Sequence, residues 1–349
     1  FSKISFLLNQ FYIEPFYFSK IDAINFYLKC NQFPSFNYKT FEYPLKPKIK
    51  IDLSKRKEIF EPDKVHDDKK NFNDYLNNCL VSDFPIAFLE SYRYLDNLNS
   101  SNNKFKKKFV FSSISQIFNE RYKIWLAKMI NMGSQHFIIG HGGGLPVIYN
   151  NNLFRHELKI SKKYISWHKP FHTKHHRMTP PLIKKWNSAY KNLNHDPKNC
   201  LILSCDTLRY PVKIQGYPYV EQYKIWLRDI EILITKLDKK IRNQIVYRCS
   251  ATDVGFQTDK ILKKKFNYLN LSDFNSKSLK DELQKTKISI ITYPETVIPE
   301  CLLSEKPMII TLSPRIYHFM PHVKKMINEM KKNKIFFDNS YEASKFINK

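Results

Sequence analysis

Short apolar runs that alternate with amphipathic stretches constrain this chain more than any other feature. From Leu201 onward the runs are Leu201-Ile202-Leu203, Ile245-Val246-Tyr247, Ile288-Ser289-Ile290-Ile291, Met308-Ile309-Ile310 and Ile335-Phe336-Phe337. Each has strand length and is almost continuously apolar, which suits a strand buried on both faces. Between them, residues 220–237 place Leu227, Ile230, Ile234 and Leu237 at helical spacing, residues 297–303 read as a short helix, and a final helix starts at Tyr341. Such β-α-β alternation predicts a doubly wound parallel sheet.

The first half repeats the pattern less clearly. Residues 1–75 read as an irregular α/β lead-in with Pro34, Pro44, Pro47 and the charged run 55–70. A polar stretch, 97–108, gives way to the strand-like Phe109-Val110-Phe111. Over residues 115–132, Ile117, Trp125 and Met129 with Phe118, Tyr122, Leu126 and Ile130 predict one helix that Gly133 stops. Phe137-Ile138-Ile139 is the next strand. Residues 170–199, with Pro170, Pro180, Pro181 and Pro197, read as an extended crossing segment. The expected domains are therefore 1–195 and 196–349, an α/β chain of two Rossmann-like halves facing a cleft. A length of 349 residues also favours two cores over one.

Composition narrows the class. At 42% hydrophobic and 15% aromatic the chain is too apolar for disorder. The aromatic stretch 1–18 is broken by Lys3, Asn9, Gln10, Glu14 and Pro15, so it reads as neither signal peptide nor membrane span. Its first residue is Phe, which leaves open a longer gene product with a targeting segment upstream. Six cysteines without a CxxC pair argue against a zinc ribbon or a disulfide framework and for a reducing compartment. The expectation is a soluble cytoplasmic protein, with peripheral contact at an anionic inner-membrane face as a further option. The net charge of +26 comes mostly from lysines spread from Lys3 to Lys349, which reads as a solvated basic surface more than a nucleic-acid groove.

Of seven glycines, Gly133, Gly140, Gly142, Gly143 and Gly144 fall together. Consecutive glycines free the backbone in φ, admit close approach of a ligand and turn N–H groups toward an anion. His141, with an ordinary pKa near neutrality, is placed to take a proton from an attacking hydroxyl. The loop is neither a dinucleotide fingerprint nor a Walker loop. A lipase-type oxyanion loop lacks its partner, since no G-x-S-x-G elbow occurs.

Gly140-His141-Gly142-Gly143-Gly144-Leu145-Pro146, then His156-Glu157, then Ile160-Ser161-Lys162-Lys163-Tyr164-Ile165-Ser166-Trp167-His168 resemble the motifs of a family of transferases encoded with bacterial surface-polysaccharide and lipopolysaccharide genes. Where that family carries Gln, Tyr-Gly, Asp and Gly, this chain carries Gly140, Leu145-Pro146, Lys162 and His168. The plan is more distantly similar to glycosyltransferase-B enzymes, including the CDP-glycerol glycerophosphotransferases. That resemblance implies a proton-accepting role for His141, nucleotide binding in the C-terminal half and acceptor binding in the N-terminal half. His156 and Trp167 fall on the acceptor side by the same resemblance, and Glu157 orients His141 or the acceptor.

In the donor half, Arg248 ends a strand and is placed to clamp a diphosphate. Thr296 reads as an N-cap whose helix start favours phosphate, and Glu300 as an acceptor for ribose hydroxyls. Asp206, Thr207, Asp253 and Gly255 are weaker candidates. His168, His172, His175 and His176 match no metal-ligand spacing and read as surface or cleft-edge residues. The expected activity is transfer of a sugar or related group from a nucleotide-activated donor to a carbohydrate or lipid-linked acceptor, with neither cofactor nor metal required. A basic nucleic-acid-binding protein and a catalytically idle sugar-nucleotide-binding relative remain the alternatives.

Overall fold

The structure is a computed structural model that describes residues 9–14, 20–34, 41–42, 49–60, 72–144, 146–149, 151–179, 197–210, 218–249, 254–273 and 275–349. Leu145, Asp253, Pro44, Pro47, Pro180, Pro181, the end of the charged run 55–70 and the expected boundary at 195/196 lie outside the described residues.

The strands are β1 (Phe11–Ile13), β2 (Phe109–Ser112), β3 (Gln135–Ile139), β4 (Lys163–Ser166), β5 (His175–Arg177), β6 (Asn199–Leu203), β7 (Ile245–Arg248), β8 (Asn270–Leu271), β9 (Thr286–Ile291), β10 (Met308–Thr311) and β11 (Phe336–Phe337). They form a five-stranded sheet in the order β1-β2-β3-β4-β5 and a six-stranded sheet in the order β11-β10-β9-β6-β7-β8. Every strand pair with a described register is parallel. The fold class expected from the alternation, α/β with two parallel sheets, is the one observed. The chain divides into two compact units, Phe1–Ile138 and Ile139–Lys349. That division falls inside β3, whereas the six-stranded sheet starts at Asn199.

The first unit has an aromatic core of Tyr12, Phe41, Val110, Tyr122, Trp125, Leu126 and Met129. The helix expected over 115–132 is interrupted: Ser115–Phe118 and Glu120–Asn131 are separate, with Asn119 at φ −124°, ψ 99° between them. The cause is local. The Asn119 side chain accepts from the Tyr122 N–H at 2.9 Å and donates to the Phe41 carbonyl at 3.1 Å, bonds that need an extended backbone there. At the other end Gly133, at φ +88°, lets its own N–H reach Ile130 and that of Ser134 reach Met129, closing the helix with a left-handed cap. Arg56, with no exposed side-chain surface, pairs with both oxygens of Glu90 at 2.6 and 2.9 Å.

In the second unit β6 and β10 are buried along almost their whole length, as central parallel strands must be when helices cover both faces. The helix Tyr223–Lys236 lays Trp226, Ile230, Leu233 and Ile234 into that core. Asn348, after the last helix Ser340–Ile347, donates to the Lys236 carbonyl at 2.9 Å and accepts from the Asp238 N–H at 3.0 Å. The chain's end thus satisfies backbone groups where the Tyr223–Lys236 helix stops. Counted from β6, the strands lie in the order 3-2-1-4-5-6, so the chain reverses its winding between β6 and β9. Open α/β sheets bind ligands at the carboxyl ends of strands flanking such a reversal.

Candidate functional site

A cavity of about 610 Å³ opens at that reversal, lined by Leu203 and Ser204 at the end of β6, Arg248 and Cys249 at the end of β7, and Tyr293, Glu295, Thr296 and Glu300 after β9. Its remaining wall is the segment Asn275 to Leu279. Strand geometry puts these residues together, because three neighbouring parallel strands end at one level and their loops must turn outward there.

Arg248 is 5% exposed, and its guanidinium is largely committed. It donates to Ser272 Oγ and to the Lys277 carbonyl, each at 2.9 Å, and Ser272 Oγ in turn donates to Glu282 Oε1 at 2.7 Å. Burial lowers its pKa, opposed by the carboxylates of Glu282, Glu300 and Asp273 and by Tyr293. Arg248 therefore ties down the wall that carries Ser276, Lys277 and Ser278.

Thr296 does not cap its helix, contrary to the sequence expectation. Its backbone, at φ −55°, ψ −22°, is already helical, which turns the side chain away from the next N–H groups. Its Oγ1 instead accepts the backbone N–H of Gly143 at 3.3 Å. The glycine loop is thus joined directly to the cavity wall.

The glycines serve close approach. Among the described glycines only Gly133 and Gly255 have positive φ, so Gly142 to Gly144 do not use the left-handed region. A Cβ at Gly143 would lie 3.0 Å from Pro299 Cγ, and one at Gly144 would lie 2.5 Å from Glu295 Oε2 and 2.6 Å from the Pro294 carbonyl. A Cβ at Gly140 would lie 2.6 Å from the Tyr164 hydroxyl. Beyond the loop, Tyr149 N–H donates to the His318 carbonyl at 2.7 Å and Met320 N–H to the Val147 carbonyl at 2.8 Å.

His141 is half-buried beside these glycines. Glu157, fully buried on the helix Asn152–Ile160, lies close enough to Tyr164 to raise its pKa further after burial has done so, and Tyr164 abuts Gly140. Arg248, Thr296 and Glu300 therefore line one cavity, and the glycine loop meets its wall at Thr296. His156 is exposed, and Trp167 is packed in the main core. Asp206 accepts from Thr258 Oγ1 at 2.8 Å and from the Thr207 N–H at 2.9 Å, outside the cavity wall.

Of the four histidines expected at the surface or a cleft edge, His175 is instead buried. His175, the first residue of β5, is 3% exposed, and its Nε2 lies 2.6 Å from Ser166 Oγ. His168 is half-buried; burial, then His175 and His322, push its pKa down to about 4. His172 and His176 are exposed. Among the described residues no His, Cys, Asp and Glu group has a metal-holding arrangement, and no helix is long and apolar enough to cross a membrane.

No curated protein matches the chain. Among solved structures it is similar to CalG4, the calicheamicin glycosyltransferase, at 10% identity and a TM-score of 0.39, over 82% of this chain and 75% of that one. It is also similar to the spinosyn forosaminyltransferase SpnP, at 9% identity and a TM-score of 0.38, over 72% and 69%. A third is MurG of Acinetobacter baumannii, at 9% identity and a TM-score of 0.38, over 75% and 67%. The profile of the LIC12162 family transferases matches residues 2–349, so the chain belongs to that family.

Proposed function

We propose that this transferase moves a sugar, or a related phosphate-linked group, from a nucleotide-activated donor to a carbohydrate or lipid-linked acceptor in surface polysaccharide or lipopolysaccharide synthesis. The observation that carries the reading is the cavity at the sheet's reversal point, whose wall residue Thr296 is bonded to the glycine loop. A volume of about 610 Å³ suits a ligand of nucleotide size.

In this reading Glu300 accepts the ribose hydroxyls, and Lys277, held in place through Arg248, faces the diphosphate. His141, as neutral imidazole, takes the proton of the acceptor hydroxyl as its oxygen bonds to the transferred carbon. The bond from that carbon to the leaving phosphate oxygen breaks, and the charge passes to the departing nucleotide. Gly142 and Gly144 present the backbone donors, since the Gly143 N–H is spent on Thr296. Glu157 orients the His141 segment through Tyr164 and Gly140. On the acceptor side the exposed His156 is a better contact than Trp167, which the core retains. A lipid-linked acceptor would bring the protein to the cytoplasmic face of the inner membrane, where its +26 charge favours anionic lipid.

Replacing His141 with Ala tests the assignment. Transfer should be abolished while thermal unfolding stays as in the wild type, and full turnover in that variant would remove the proposed base.

A further inference from the structure

The charges lining the cavity divide between its two sides. Arg248 ends β7 and Lys277 follows β8, whereas Glu295 and Glu300 follow β9; β6, with the uncharged Leu203 and Ser204, runs between the two groups. Glu295 also meets the glycine loop. A Cβ on Gly144 would lie 2.5 Å from its Oε2 and 2.7 Å from its Cδ, so the carboxyl fills the space that a side chain at 144 would need. The Glu295 backbone is fixed by its neighbours: its N–H donates to the Tyr293 carbonyl at 3.2 Å, and its carbonyl accepts from the Ile298 N–H at 3.1 Å. Pro294 before it is buried, while Glu295 itself is exposed and so open to a ligand in the cavity.

A nucleotide-activated donor has an anionic middle and a reacting end. Lys277 draws the phosphates to the β7 side, and the transferred group must reach the loop that carries His141, which brings it to Glu295. We propose that Glu295 is a specificity-determining residue that admits a transferred group bearing hydroxyl or ammonium groups and rejects one bearing a carboxylate or phosphate of its own. Hydroxyl and ammonium groups donate to a carboxylate, and hydrogen bonds to a charged acceptor are the stronger kind. A second anion there has no proton to share, meets like charge, and loses hydration that nothing replaces. The inference rests on the reading of the cavity given above and narrows it, from any phosphate-linked group to a neutral or amino sugar.

The test measures dissociation constants of matched donors by calorimetry with the full chain. UDP-glucose is paired with UDP-glucuronate, GDP-mannose with GDP-mannuronate, and CMP-N-acetylneuraminate with its methyl ester; within each pair the transferred groups differ by one carboxylate. In the nucleotide class that binds, the wild type should hold the uncharged member about tenfold tighter, the size of one like-charge contact near a protein surface. Glu295→Gln keeps the shape without the charge and should lose that preference, whereas Glu295→Asp keeps the charge and should retain it. If Gln does not fold, Glu295→Ala decides by the same ratio. A residue that only supported Gly144 would, when replaced, weaken both members of a pair alike. An unchanged ratio in the Gln variant therefore overturns the proposal, as does a wild type that binds both members equally or prefers the acidic one. Binding of nucleotide-linked sugars without discrimination would sink this inference alone; no binding in any class would defeat the proposed function and this inference with it.

Discussion

The backbone N–H of Gly143 donates to Oγ1 of Thr296 at 3.3 Å, which joins the loop after β3 to the cavity wall after β9. Gly143 is buried, so removing the acceptor leaves a donor without water to replace it. Thr296→Val should lower stability by about 1–3 kcal/mol, and Thr296→Ser should lower it by less. Chemical denaturation of both variants measures the difference.

Gly144 has the tightest surroundings of the three loop glycines. A Cβ there would meet the Pro294 carbonyl at 2.6 Å, and backbone cannot swing aside as a side-chain tip can. Gly144→Ala should cost about 1–3 kcal/mol and abolish turnover, whereas Gly142→Ala, facing only Thr296 Oγ1 at 3.1 Å, should be milder on both counts. Melting curves and transfer rates of the pair check the ordering.

Arg248 acts on the cavity through the segment it holds. Arg248→Met should free Ser272 and the Lys277 carbonyl, at about 1.5–3 kcal/mol for each charged hydrogen bond lost. Faster hydrogen exchange across 272–279 should accompany weaker donor binding; unchanged exchange there would mean that the segment does not depend on Arg248.

Stability should fall on mild acidification. Burial, then neighbouring imidazoles, push His168 and His175 from 6.5 down to about 4; His175 and His322 face the first, and His322, His176 and His172 the second. Between pH 6.5 and 4 the unfolded chain therefore holds more protons than the folded one. The stability these groups contribute is complete above 6.5, declines as pH drops and levels off below 4. A second loss follows from Glu90, whose bond to Arg56 pulls its pKa from 4.5 to about 2; that contribution is present above 4.5 and disappears as pH falls through 2. Melting temperature measured from pH 8 to 4 should drop steadily below about 6.5, and a flat profile down to pH 5 would contradict the histidine assignment.

The second sheet was legible because its central strands are buried on both faces and so appear as almost unbroken apolar runs at Leu201, Ile245, Ile288 and Met308. Strands without that burial were not: β8 is only Asn270–Leu271, and β5 reads His-His-Arg. The break at Asn119 was hidden because its apolar neighbours keep helical spacing while its side chain competes for backbone bonds. Glycine clustering pointed to the loop, but the crowding there by Pro294, Glu295 and Pro299 was hidden because those residues lie about 150 positions away. The wall 275–279 had no periodic signal, because polar residues after a short edge strand look like any surface turn, and the buried His175 opens a strand too short and polar to show a period.

The central claim is that the cavity between β6, β7 and β9 holds a nucleotide-activated donor. Thermal unfolding of the wild type and of Glu300→Ala, titrated with CMP-, CDP-, UDP-, GDP- and dTDP-linked sugars, tests it most directly. One nucleotide class should raise the wild-type melting temperature, by the equivalent of about 2.7 kcal/mol at a hundredfold excess over Kd, and the rise should shrink or vanish in the variant. No stabilisation by any member of the series, or equal stabilisation of both proteins, would contradict the account.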